Sequence, residues 1–152
     1  MSQVCACKKE NALKIGVFHT AFIGDIILTG LMLEALFKAG HEIIFFTKPH
    51  TKIIYEYDSR VSKVVAVEKA KGLRKFFSIF TIARQIKNEN LDILIAPHKS
   101  LTTSLISFFS RVKRRIGFKK ARGHFLYTNS VMFEQNEHEC VRYLSLLPKD
   151  VC

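Results

Sequence analysis

An acidic side chain, Asp25, follows Gly24 where an apolar, strand-like run, residues 13–18, turns into a second apolar run of helical character. The free amides of a helix N-terminus usually receive anions, so a carboxylate there has two readings. It serves the helix end, as Asp commonly does. Alternatively it stands at the lip of a cleft, as a general base or an acceptor for a substrate hydroxyl. The helix dipole favours the carboxylate form in either case. A second constellation, His98, Lys99 and Ser100, follows the apolar run 91–96. A cation and a hydroxyl just ahead of a helix form an anion-binding corner for phosphate or carboxylate. The plainer reading is a solvated Lys and a capping Ser. His19 and Thr20, before Asp25, read as residues that support the turn.

The elements that must position these groups alternate. Residues 13–18, 42–47, 63–67, 91–96 and 115–118 are short, mostly β-branched or aromatic runs suited to parallel strands covered on both faces. Helical patterns fall between and after them, at 24–38, 73–88, roughly 100–110 and 136–147. In the second, Arg74, Ser78, Thr81, Gln85 and Asn88 form a polar stripe, opposed by Leu73, Phe76, Phe77, Phe80 and Ala83. The alternation predicts one α/β, Rossmann-like open parallel sheet with helices on both faces and right-handed crossovers. Ligands bind at the carboxyl ends of such strands, which selects the loops 19–24, 48–52 and 97–100. The first loop is no dinucleotide fingerprint, since Gly24 is a single glycine where that motif needs three.

Composition narrows the partners. With 152 residues, 48% of them hydrophobic, the chain can bury one substantial core. A formal charge of +11 directs it toward anions: nucleic acid, phosphorylated sugars or an acidic membrane surface. Seven Lys or Arg and no acid lie in 111–124, and Lys69, Lys71, Arg74 and Lys75 precede Phe76 and Phe77. Each cluster reads as a solvated face or as a dock for an anionic bilayer; nucleic acid is disfavoured for want of a base-stacking platform. Cys5 and Cys7 are too close for a zinc pair and no second Cys/His pair has ligand spacing, so no metal is expected. The four cysteines read as free thiols of a cytoplasmic protein, with neither a signal peptide nor a membrane span in the sequence.

The stretch FIGDIILTGLMLEAL resembles the opening of the ADP-heptose:lipopolysaccharide heptosyltransferases, GT-B glycosyltransferases in which Gly–Asp follows the first strand. LDILIAPHKSLTTSLI, RRIGF, FLYTNSV and HECVRYLSLL continue the resemblance in order, from about residue 13 to residue 147. The resemblance implies an N-terminal extension (1–12), an acceptor-binding half of a GT-B fold (13–147) and the start of a linker (148–152). The nucleotide-sugar domain would then be absent and this chain alone inactive. It implies that Asp25 is the catalytic base, that Gly24 admits the acceptor, and that His98, Lys99 and Ser100 bind it. No cofactor is implied beyond ADP-heptose as donor, held by the other domain. The acceptor would be a lipopolysaccharide core on lipid A, reached at the inner face of the inner membrane. His138 matches the family's His at the start of the last helix. A non-catalytic binding module for an anionic glycolipid or nucleotide is the alternative.

Overall fold

The computed structural model describes residues 12–151. Cys5, Cys7, Cys152 and most of the expected N-terminal extension lie outside these residues; Cys140 is a free thiol. The elements run β1 (Lys14–Phe18), α1 (Ile23–Leu28), α2 (Gly30–Lys38), β2 (Glu42–Thr47), β3 (Lys63–Ala66) and α3 (Arg74–Asn88). They continue with β4 (Ile93–Ala96), α4 (Leu101–Phe109), β5 (Arg114–Phe118), β6 (Asn129–Val131) and α5 (Glu139–Ser145). All neighbouring strands pair in parallel, in the order β3-β2-β1-β4-β5-β6. This is the expected open α/β sheet, and the chain reverses its direction of travel between β1 and β4.

Strand alternation sorts the core into two layers. Ile15, Val17, Ile43, Phe45, Ile93 and Ile95 face α1, α2 and α5. Phe18, Ile44, Phe46 and Leu94 face α3 and α4. Phe18, Phe45, Phe46 and Phe118 are almost fully enclosed, each contributing roughly 1.5–3 kcal/mol of transfer free energy. β3 lies at the edge of the sheet and is only partly covered, although its apolar run suggested a covered position.

Three expectations about helices and loops need correction. The single helix 24–38 is two, broken at Thr29. The Tyr55 hydroxyl donates to the carbonyls of Ile26 (2.8 Å) and Ile27 (3.3 Å), and Thr29 Oγ1 donates back to the Asp25 carbonyl (3.0 Å). Both compete with the regular helical ladder. The apolar face assigned to α3 is wrong except for Ala83. Ile79, Ile82, Ala83 and Ile86 are the buried stripe, while Leu73, Phe76, Phe77 and Phe80 are 88%, 67%, 77% and 54% exposed. The loop 48–52 is largely a 3-10 turn, Pro49–Ile54, held by a Thr47–Thr51 hydroxyl pair at 2.7 Å. β6 and a second 3-10 turn, His124–Leu126, carried no recognisable pattern.

Residues 148–151, expected to begin a linker, are tied to this domain. Asp150 pairs with Arg114 through two bonds of 2.6 and 2.7 Å, and Val151 is buried with its carbonyl 2.7 Å from His41 Nε2. Arg115 likewise leaves the solvated face, donating to the carbonyls of Val112 and Leu126.

Candidate functional site

The loops after β1 and β4 meet at the carboxyl edge of the sheet, where the strand order reverses. Phe22 is the residue that caps α1, so Asp25 falls in the first turn rather than at the cap position, and no side chain caps this helix. The carboxylate of Asp25 has no hydrogen-bond or ion-pair partner among the described residues. It opens instead on a cavity of about 90 Å³ lined also by His19, His98, Lys99, Glu139 and Tyr143. A Cβ built on neighbouring Gly24 would meet nothing within 4 Å. Packing therefore does not demand a glycine there.

His19 supports the backbone under Asp25. It is 1% exposed, and its Nδ1 lies 2.9 Å from Thr29 Oγ1. Because that hydroxyl's proton goes to the Asp25 carbonyl, it accepts from His19, which fixes the Nδ1–H tautomer. Burial first, then the positive potential of His98 and Lys69, depresses the His19 pKa to about 3, so the ring is neutral. The turn-supporting role expected of His19 is the one observed. Its ring meets Tyr143 edge-on at 5.3 Å, and burial, with Asp25 and Glu139 nearby, raises the Tyr143 phenol far above its ordinary range.

The structure divides the three residues expected to form one anion corner. Lys99 turns toward the Asp25 cavity, its Nζ 3.8 Å from the centre of the Phe133 ring, where Lys120 and Arg142 also converge. Burial is the main cause of its lowered pKa. Ser100 occupies the cap position of α4 without a side-chain capping bond. It lines a second, larger cavity of about 470 Å³ with Thr20, Lys48, Lys69 and Lys75. His98 lies between, lining both. Its pKa falls to about 4 through burial and then the charges of Lys69 and Lys48.

Lys69 is the site residue that sequence reasoning did not single out. Its ammonium donates to Thr20 Oγ1 (2.8 Å) and Thr103 Oγ1 (3.1 Å), and Thr103 in turn lies 3.3 Å from His98 Nδ1. No carboxylate pairs with it among the described residues, and none lines the cavity. Burial, Lys48 and Lys75 lower its pKa to about 8. An anion entering this cavity would meet lysines that have no acid to satisfy them. The run Lys69, Lys71, Arg74, Lys75 was the available signal; what it lacked was the hydroxyl partners, brought from the loop after β1 and from α4.

His138 caps α5, its Nδ1 accepting from the Cys140 amide at 3.3 Å, a helix-start contact as expected. No group of three or more His, Cys, Asp and Glu among the described residues could hold a metal ion. No helix among them is long and apolar enough to cross a membrane.

The sheet order and the helices on both faces define a Rossmann-like α/β domain, matching one half of a GT-B glycosyltransferase. No protein-family model and no curated protein matches the chain. Among solved structures it is similar to a glycosyl transferase family 9 protein from Veillonella parvula, with a TM-score of 0.77 and 24% identity over 91% of this chain and 42% of that one. It is similar to ADP-heptose lps heptosyltransferase II of E. coli, with a TM-score of 0.77 and 13% identity over 88% of this chain and 40% of that one. The E. coli heptosyltransferase WaaC with ADP gives a TM-score of 0.74 and 16% identity, over 88% of this chain and 46% of that one. The chain thus spans less than half the length of each.

Proposed function

We propose that this chain is the acceptor-binding, base-bearing half of an inverting glycosyltransferase that moves heptose from ADP-heptose to a lipopolysaccharide core acceptor. The observation that carries the reading is the unpaired carboxylate of Asp25, opening on a cavity at the carboxyl edge where the strand order reverses. Asp25 would take the proton from an acceptor hydroxyl as its oxygen bonds to the anomeric carbon. The bond from that carbon to ADP would break on the opposite face, inverting the configuration. Gly24, with open space before it, would let the acceptor lie against the backbone. Lys99 would face the reacting region, while His98, Ser100 and the lysines of the larger cavity would hold phosphate or carboxylate groups of the acceptor.

The donor would be held by a facing nucleotide-sugar domain. Positioning donor against acceptor supplies much of the rate in such a two-walled cleft, so residues 13–147 alone should have negligible activity. Phe22 and Ile23, 83% and 51% exposed at the start of α1, are apolar groups such a domain would cover.

The test is a transfer assay with ADP-heptose and a deep-core lipopolysaccharide acceptor, run with the chain alone and with a nucleotide-sugar domain added. Transfer only in the combined reaction is expected. Binding of the acceptor without transfer in either reaction would favour the second reading, a non-catalytic module for an anionic glycolipid or nucleotide. The lysine-lined cavity supports that reading, because it needs nothing from Asp25.

A further inference from the structure

The aromatic side chains that α3 fails to bury form a continuous ridge. Leu73, Phe76 and Phe77 lead one turn along the helix to Phe80, whose ring lies 4.7 Å from that of Phe109 on α4. Phe109 in turn meets Phe108 at 5.5 Å, and both are more than a third exposed. Contiguous apolar surface of this kind is uncommon on a protein that meets only water.

Cations dominate the surroundings of the ridge, with Asp92 an acid beside Lys87 and Arg111 at its lower end. Lys71, Arg74 and Lys75 lie at its upper end, Arg84, Lys87 and Arg111 at its lower end. No Asp or Glu occurs anywhere in residues 69–88 or 93–133. A second copy docked on this ridge would bring two basic surfaces together. Base stacking along a strand needs a series of open ring faces, whereas Phe80, Phe109 and Phe108 are packed on one another and leave only Phe76 and Phe77 open. An anionic bilayer offers what the ridge lacks, an apolar boundary for the phenyl rings and headgroup phosphates for the cations.

We propose that the α3–α4 ridge, centred on Phe76, Phe77 and Phe80, docks this protein on an anionic lipid bilayer. The rings enter the headgroup–acyl boundary and the flanking Lys and Arg side chains meet lipid phosphates. Lys75, beside Phe76, also lines the lysine-rich cavity, so a bilayer-anchored anionic group would lie next to that cavity. That last link rests on the acceptor reading; the docking itself does not.

Co-sedimentation with mixed phosphatidylglycerol–phosphatidylcholine vesicles, against pure phosphatidylcholine, tests the proposal. The protein is expected to bind the mixed vesicles alone, less so as salt rises. The pair Phe76→Ser and Phe77→Ser should weaken binding about tenfold or more, since binding scales with inserted apolar area. Arg74→Gln and Lys75→Gln should each weaken it about fivefold. Lys38→Gln with Lys52→Gln, twice the charge loss of either but on the opposite layer, should not. The chain has no Trp, so Phe77→Trp supplies a single fluorophore whose emission should shift to the blue on the mixed vesicles. Equal binding to neutral vesicles, wild-type binding by the Phe76/Phe77 double variant, or an unshifted Trp emission would overturn the proposal. So would single-stranded DNA binding or dimerisation abolished by the same substitutions in a protein that ignores vesicles.

Discussion

Acidification should destabilise this protein well before its carboxylates titrate. His19 and His98 have folded-state pKa values of about 3 and about 4, against 6.5 in an unconstrained chain. Both are depressed, so the unfolded chain binds more protons than the folded one between 6.5 and those values. Stability is therefore full above the unfolded pKa and falls as pH drops through it. By about pH 5 the unfolded state has gained nearly one proton at each ring and the folded state almost none. The difference is worth about 2 kcal/mol for His19 and, discounted for the partial exposure of His98, about 1 kcal/mol more. Against a typical domain stability of about 5–15 kcal/mol, a loss of about 3 is large.

Urea titrations from about pH 8 to about pH 5 would read this as a midpoint lowered by about 1.5 M, taking a slope of about 2 kcal/mol per molar. Asp58 and Glu34, held below their ordinary range by hydrogen bonds from Arg60 and from Lys38 and Arg60 respectively, act in a separate window. The stability they give is lost only as pH falls through the carboxylate range, below the window tested. His98→Asn keeps an acceptor for the Thr103 hydroxyl and removes the titrating ring; it should remove about a third of the slope. His19→Asn should remove most of the rest. A midpoint flat across the window, or the full slope surviving in both variants, would show that these two rings do not set the acid sensitivity.

Three further outcomes follow from the same geometry. Lys69 has a folded pKa of about 8 against 10.5 unfolded, so its burial penalty is present in full below about pH 8 and relieved toward 10.5; stability should rise over that interval. Lys69→Met should be more stable than wild type near neutrality, lack that alkaline rise in urea titrations, and lose affinity for pyrophosphate by calorimetry. Gly117→Ala should cost about 1–3 kcal/mol by urea denaturation. Its Cβ would lie 2.6 Å from Tyr127 Cζ, and Tyr127 is buried. Gly24→Ala should fold normally or gain up to about 1 kcal/mol in melting experiments, while transfer in the combined assay falls because the added methyl occupies the acceptor's approach.

The sheet was legible because β1, β2 and β4 are near-continuous apolar runs that suit two-sided burial. β6 was not, since Asn129, Ser130 and Val131 form an edge strand of three residues, too short to show an apolar alternation. The break at Thr29 depends on the Tyr55 hydroxyl, which local sequence cannot bring into view. α3 carries two apolar stripes of helical period, Phe76–Phe77–Phe80 and Ile79–Ile82–Ala83–Ile86, roughly a third of a turn apart. Periodicity finds both and cannot say which one faces the sheet. At the site, Asp25 and His98 were visible because each follows a strand at its carboxyl end. Lys69 was visible only as charge. Its place between Thr20 and Thr103 depends on contacts 49 and 34 residues away in the chain.

The most direct test of the central claim is the rate of heptose transfer by the chain with an added nucleotide-sugar domain, wild type against Asp25→Asn, with acceptor affinity measured on both. A general base should be worth about 10²–10⁴ in kcat. A loss of that size with acceptor affinity unchanged is expected. Transfer by Asp25→Asn at close to the wild-type rate would contradict it, and would leave Asp25 a helix-end charge with no part in the chemistry.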